Sequence, residues 1–273
     1  MRFIKSVVAA AMWLGVWYAV QYGLMYAGVG LVKTAAAFGL ITISEAFAMH
    51  FNAIAPMAAE VAIVPVAWAL FAMRKKPPLR SLGFAPCRVS SVIAGAILGF
   101  LACLTVTLLL VYTPFPESWQ TDYTESSKEV LDRGSPVYTI IASVIVAPIV
   151  EEIVFRGLVY GRLRNGMPRV LAAVLSAAAF GFAHGSAIWV VYTALLGLLF
   201  AFVYEKTGSI VPTIALHMSF NIFGQITIFP ASTPPLLVWA AYTFAPYALG
   251  VAVWCVAKTK KPLGGVIRYP DAR

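Results

Sequence analysis

Apolar residues run along this chain in long blocks with short polar breaks between them. A helix needs about 20 apolar residues to cross a bilayer. On that measure the blocks predict membrane helices over 4–25, 53–73, 89–112, 137–164, 168–184, 188–204, 210–228 and 236–257. The apolar stretch from Thr34 to Met73 is too long for one helix. Its first part, to about Asn52, reads as an interfacial segment and its second as the second span. Arg74-Lys75-Lys76-Pro77-Pro78 ends that span. The segment 113–136 carries Glu117, Asp122, Glu125, Glu129 and Asp132, and reads as the one substantial polar loop. The pattern is that of an all-α, polytopic transmembrane helix bundle of about eight helices.

Composition agrees. Of 273 residues, 61% are hydrophobic and 11% charged, against about 25% charged in soluble domains. The net charge of +9 reads as membrane topology and not as a nucleic-acid surface. With both termini cytoplasmic, sixteen of the twenty Lys and Arg fall on the inner side: Arg2, Lys5, the five between Arg74 and Arg88, Arg162, Arg164, Arg169, Lys206 and five in the tail. Lys33, Lys128 and Arg133 fall outside and Arg156 within a helix. Cytoplasmic loops show this excess. The first apolar run is too long for a cleaved signal and reads as a retained helix. Cys87, Cys103 and Cys255 are isolated, with no metal-type or disulfide spacing. No repeat or linker divides the chain. It reads as one membrane domain in three stretches: 1–136 (three helices, interfacial segment and loop), a core over 137–228, and a last helix with basic tail over 229–273.

Charges inside helices are costly in a bilayer and mark function by default. The fourth predicted helix carries Glu151, Glu152 and Arg156 in an apolar setting. Glu152 and Arg156 are four apart and share a face, so they can pair. Glu151 lies about 100° round the helix, free to face something else. The bland reading is a structural ion pair with one spare acid. His184 closes the fifth helix on one face with Phe180, and His217 and Asn221 share a face of the seventh. A lone intramembrane His is as readily a packing residue as a catalyst. Two in separate helices, with a carboxylate pair in a third, point to a polar pocket between the fourth, fifth and seventh helices.

Such a pocket has the parts for peptide hydrolysis without a Ser, Cys or Thr nucleophile. Glu151 and His184 can take a proton from water. His217 and Asn221 can donate to an oxyanion. Glu151, His184 and His217 could instead hold one divalent metal, zinc, with an open position for water. The residues alone leave both open: no cofactor, or zinc.

Three motifs carry a family resemblance: Glu151-Glu152-Ile-Val-Phe-Arg156, Phe180-Gly-Phe-Ala-His184 and His217-Met-Ser-Phe-Asn221. Together, and in this order, they resemble the EExxxR, FxxxH and HxxxN pattern of the CPBP family of intramembrane proteases. That group takes in Rce1-like CAAX prenyl endopeptidases and bacteriocin-immunity and abortive-infection proteins. Gly157, Gly161-Arg162-Leu163 and 204–209 also look like the family, and the resemblance covers about 137–228. It implies Glu151 and His184 as water activators, His217 and Asn221 as the oxyanion hole, and Glu152 with Arg156 as a support. It also implies a membrane-embedded or lipidated peptide or protein substrate, such as a CAAX-like one. The expected setting is a prokaryotic plasma membrane, with the lipid bilayer as partner and no nucleic acid.

Two other functions compete with an endopeptidase. One is a non-catalytic immunity or abortive-infection protein on the same fold. The other is a proton-coupled transporter, since carboxylates and histidines also form proton relays. Among the remaining polar residues, Glu60 reads as hydrated near the outer end of the second helix, and Glu45 and His50 as solvated. The acidic segment 113–136 reads as a solvated loop with a possible gating role. Glu205-Lys206 reads as a turn. Trp13, Trp17, Trp68, Trp119, Trp189, Trp239 and Trp254 mostly suit interfacial anchoring.

Overall fold

The computed structural model describes residues 1–131, 136–225 and 234–258, and among them every regular element is helical. Eight apolar helices are labelled here in chain order: α1 (Arg2–Ala37), α2 (Glu45–Met73), α3 (Val89–Tyr112), α4 (Val137–Leu163), α5 (Arg169–Phe182), α6 (Ala187–Thr207), α7 (Val211–Gly224) and α8 (Pro235–Lys258). Six are long and apolar enough to cross a membrane, the exceptions being the 14-residue α5 and α7. A helix of 14 residues reaches about 21 Å, short of a hydrocarbon core of about 30 Å. The FxxxH motif ends just past α5, and the HxxxN motif lies in the second half of α7.

The N-terminal third departs from the sequence reading. Helix α1 runs on to Ala37 instead of ending near Met25, because nothing before Gly39, at φ 69°, breaks it. The stretch expected as an interfacial segment, 34–52, divides between the end of α1, a short connection and the start of α2 at Glu45. Ser44 caps it by accepting from the Phe47 amide at 3.2 Å, with Glu45 in the first turn; both features stabilise a helix N-terminus. The helix is interrupted only at Ala62, three residues before Pro65, which has no N–H to donate. Residues 45–73 therefore make one helix long and apolar enough to cross a membrane once. The segment expected as a polar loop contains a 15-residue helix, Glu117–Leu131, with an acid in its first turn and Lys128 in its last. That charge order complements the helix dipole. Asp132 lies outside the described residues.

Close backbone approach holds α3 to α7. A Cβ on Gly95 would stand 2.3 Å from the Pro212 carbonyl oxygen, and one on Gly99 would stand 2.1 Å from that of Leu216. The four-residue spacing Gly95-Ala-Ile-Leu-Gly99 is the small-residue stripe that lets membrane helices meet backbone to backbone. Helix α4 runs through the centre of the bundle, with Glu152 to Leu163 buried throughout. Two tryptophans expected at the interface pack against it instead. Trp13 is 3% and Trp17 5% exposed. Trp17 meets Phe155 edge-on at 5.4 Å, and Trp13 and Phe71 flank the Arg162 guanidinium at 5.6 and 5.0 Å. Trp68, Trp239 and Trp254 are exposed on the bundle surface, as anchoring requires.

At the end of α4, Glu205 is no turn residue. It lies within α6 and accepts from Tyr160 Oη at 2.7 Å and Arg164 Nε at 2.6 Å, tying α6 to α4. Lys206 donates to the Ala257 carbonyl of α8 at 2.6 Å. Gly208 at φ 73° then closes α6 in the left-handed conformation that glycine adopts without strain.

Candidate active site

Helix α4 is wound more loosely than an α-helix at two places. The Ala147 amide reaches Ala142 O, and the Gly161 amide reaches Arg156 O, each five residues back. Such turns release carbonyls that an α-helix would occupy and recur at functional sites. The acceptors passed over are Ser143 O and Gly157 O. Asn221 Nδ2 donates to Ser143 O at 2.7 Å, and Arg162 Nη1 to Gly157 O at 3.0 Å. The loosened winding thus fixes Asn221 of α7 against α4.

Between these turns lies the carboxylate pair. Arg156 Nη1 donates to Glu152 Oε1 at 2.9 Å, with both side chains 1% exposed or less. The guanidinium is held further by Gly197 O of α6 at 3.4 Å and by the faces of Phe180 and Phe200, 4.5 and 4.6 Å from its carbon. Aromatic faces attract a cation strongly when water is excluded. The expected pairing of Glu152 with Arg156 is present.

His217 joins the two acids. Its Nδ1 lies 3.2 Å from Glu152 Oε1 and its Nε2 lies 3.7 Å from Glu151 Oε2. Since Glu152 already receives Arg156, the hydrogen on Nδ1 points to Glu152, which turns Nε2 toward Glu151. Glu151 retains 16% exposure and Glu152 none. The two adjacent acids therefore differ in environment, one sealed in an ion pair and the other open. Phe180 and Phe200 pack on the His217 ring at 5.8 and 4.9 Å.

His184 stands just past α5. Its Nδ1 lies 2.8 Å from the Phe180 carbonyl oxygen, and its ring meets Phe180 edge-on at 4.6 Å. Phe180 thus links both histidines and the arginine. Arg156, Glu152, His217 and Glu151 form a continuous chain of contacts in that order. His184 and Asn221 join through Phe180 and through Ser143.

A metal held by Glu151, His184 and His217 would find both imidazoles with Nδ1 engaged, as metal-bound histidines show. Yet among the described residues no three His, Cys, Asp or Glu side chains converge on one point. The donors do not fit a three-ligand ion as they stand.

Two residues that the sequence reading did not associate with Glu151 stand near enough to interact with its charge. Glu60 of α2 and Tyr18 of α1 both lie within electrostatic range of its carboxyl. Glu60 is not at the outer end of α2 but in its middle, and only partly exposed. Its helical spacing to Ile63, Ala67 and Phe71, all 2% exposed or less, was the available signal. His50 is exposed, as expected, and meets Tyr138 edge-on at 5.6 Å.

Residues 133–223 match the family model described as type II CAAX prenyl endopeptidase Rce1-like. The chain is 33% identical over 101 residues to the putative membrane peptidase YdiL of Bacillus subtilis, covering 36% of this chain and 41% of that protein. It is 25% identical over 154 residues to the membrane-embedded CAAX protease MroQ of Staphylococcus aureus, covering 54% and 61%. It is 28% identical over 85 residues to the UPF0177 protein YxdF of Lactococcus lactis, covering 31% and 46%. The matches span from 41% to 61% of the length of these curated relatives. No solved structure matches the chain.

Proposed function

From the premise that residues 133–223 are an Rce1-like domain of the CPBP family of intramembrane proteases, we propose that this multi-pass membrane protein is an endopeptidase. It hydrolyses a peptide bond of a membrane-embedded or lipidated substrate with a water activated by Glu151. The observation that carries this reading is the chain Arg156–Glu152–His217–Glu151, which sets one partly exposed carboxylate against an imidazole held from behind.

The chemistry follows from the contacts. Glu151 takes a proton from water as its oxygen bonds to the scissile carbonyl carbon. His184 Nε2 assists, its Nδ1 being engaged with Phe180 O. The carbonyl oxygen gains negative charge. The Asn221 amide has two N–H groups and spends one on Ser143 O. The other donates to the oxyanion, as does the His217 ring when Nε2 carries a proton. The C–N bond then breaks, and the proton passes to the leaving amine. Glu152 and Arg156 touch no substrate; they fix His217. No step runs through a metal.

The basic residues favour both termini on the cytoplasmic side of a prokaryotic plasma membrane. The six helices long enough to cross, with α2 as a single span, are an even number and keep both termini on one side. The test is cleavage in detergent of a fluorogenic peptide carrying a lipidated, CAAX-like end, with Glu151→Gln as control. Cleavage lost in the variant supports the reading. Uptake that depends on a proton gradient, without cleavage by the native chain, would replace it with a transporter.

A further inference from the structure

We propose that Phe200 of α6 is a positioning residue for His217: its ring sets the plane of the imidazole and so the direction in which Nε2 points. The inference rests on the endopeptidase reading. It adds a fourth helix to a site whose sequence motifs lie on α4, α5 and α7. Phe200 meets neither substrate nor reacting atoms in that reading; it acts through His217.

Three observations carry it. First, the Phe200 ring lies 4.9 Å from the His217 ring at an interplanar angle of 32°, nearer to parallel than to edge-on. Phe180, the other phenyl ring on His217, is farther off at 5.8 Å and almost perpendicular, at 82°. Second, the same Phe200 ring lies 4.6 Å from the Arg156 guanidinium carbon. Glu152 Oε1 takes two donors, Arg156 Nη1 and His217 Nδ1, and both donor groups pack on this one ring. Third, Phe200 is itself held. It is 0% exposed, and α6 is fixed at this height from two sides. Gly197, three residues earlier, lies so close to α5 that a Cβ there would stand 2.9 Å from Ala177 Cα. Its carbonyl oxygen takes Arg156 Nη2 at 3.4 Å.

The bond to Glu152 stops the imidazole from turning over, but it does not by itself choose the plane of the ring. A pivot about the line from Nδ1 to Oε1 keeps that bond. The χ2 torsion of a histidine is broad and selects no single plane. Nε2 lies off the pivot line, so the motion swings it away from Glu151 and from the developing oxyanion. A hydrogen bond weakens steeply when misaimed. A flat ring packed on the imidazole resists the pivot, because tilting either gives up contact or drives one ring into the other. A branched aliphatic side chain in that place fills volume but offers no flat face. Phe180 cannot serve as a clean probe of this role, since it also contacts His184.

The test compares Phe200→Leu, Phe200→Met and Phe200→Tyr in the detergent cleavage assay, with melting temperature and histidine side-chain NMR on the same samples. The chain has three histidines, so His50 and His184 serve as internal references. The two ring-less variants are expected to lower kcat by roughly 10- to 100-fold, the scale of a displacement of about 1 Å at a reacting group. KM should stay near native, because Phe200 meets no substrate. The His217 ring signals should shift and broaden while those of His184 and His50 stay in place. Phe200→Tyr keeps the flat ring and should return most of kcat per folded molecule, with a lower melting temperature where the added hydroxyl is buried. A Phe200 that only fills space predicts lower melting temperatures in the ring-less variants with native kcat per folded molecule, and that result overturns the proposal. So do His217 signals of native position and width in both ring-less variants. So does a Phe200→Tyr variant as slow as Phe200→Leu while its His217 signals match the native chain. If Phe200→Tyr does not fold, the two ring-less variants decide. Absence of cleavage by the native chain removes the endopeptidase reading. Native kcat in both ring-less variants, with Glu151→Gln inactive, removes this inference alone.

Discussion

His217 reaches Glu152 through Nδ1 at 3.2 Å, and the same carboxylate oxygen takes the Arg156 guanidinium at 2.9 Å. One buried acid therefore anchors a residue of α7 and a residue of its own helix. The imidazole cannot turn without breaking that contact, so its other nitrogen is committed to the Glu151 side.

Removing either member of a buried pair leaves its partner charged and unsolvated, at a cost of about 3–5 kcal/mol. Glu152→Gln and Arg156→Ala are therefore expected to lower melting temperature and detergent-extracted yield. Arg156→Ala also loses the contacts with Phe180 and Phe200, so it should be the worse of the two. Thermal scans of both variants check the order. Native melting in either would show that the pair holds nothing together.

Glu151→Gln should behave in the opposite way. The side chain keeps its volume, and at 16% exposure it is not part of the sealed ion pair. The fold should persist with a melting temperature close to native, while cleavage disappears because an amide cannot accept the proton of water. Full turnover in this variant would assign the base elsewhere.

Much of this arrangement was legible in the sequence. The spacing of Glu152 and Arg156 predicted their pairing, because i, i+4 residues meet on any helical surface. The charge cost of the membrane interior picked out three helices, α4, α5 and α7, whose marked residues the structure brings together around Phe180 and His217. What the spacing could not give was the His217 ring between two acids, since that depends on how α7 leans on α4. It also missed the loosened turns of α4: the acceptor for Asn221, Ser143 O, exists only because the Ala147 amide reaches one residue further back. The reading of 34–73 expected one span and placed its start too late, for a different reason. Length, the polar residues Glu45, His50, Asn52 and Glu60 and charge parity were weighed, and the Ser44 cap that starts α2 was overlooked.

The α3–α7 contact gives a prediction about stability that is independent of chemistry. A Cβ on Gly99 would stand 2.1 Å from Leu216 O, a backbone atom that cannot swing aside. Gly99→Leu should separate the helices and lower melting temperature sharply, by the ~1–3 kcal/mol or more typical of overpacking. Because α7 carries His217 and Asn221, activity should fall with it. Gly15→Leu, with nothing within 4 Å of its Cβ position, is the control and should melt normally.

Metal dependence can be measured directly. The donors expected for zinc do not converge among the described residues, and His217 is already divided between two carboxylates. Activity is therefore expected to survive exhaustive chelation, and elemental analysis of the purified chain should find well under one zinc per molecule. Stoichiometric zinc, with activity lost to chelator and restored by zinc alone, would require the three donors to rearrange around an ion.

Asn221 separates a structural from a catalytic role most cleanly, because the structure shows the first and the proposed mechanism adds the second. Its amide nitrogen donates to Ser143 O across α7 and α4 at 2.7 Å. A bond of this kind contributes about 0.6 kcal/mol on average between membrane helices. Its loss in Asn221→Ala should therefore move melting temperature only slightly. An oxyanion-hole donor contributes far more to rate, about 10²–10³-fold in kcat. The second N–H of the same amide is the one proposed for that task. Asn221→Ala should then lose about 10²–10³ in kcat with KM little changed, as expected for an interaction made only in the transition state. Asn221→Asp sharpens the comparison: it keeps the shape but offers an acceptor where Ser143 O and the oxyanion both need a donor, so it should be as inactive as Ala and less stable. Near-normal kcat in Asn221→Ala, with a lowered melting temperature, would leave Asn221 as a helix-packing residue and assign the oxyanion to His217 alone.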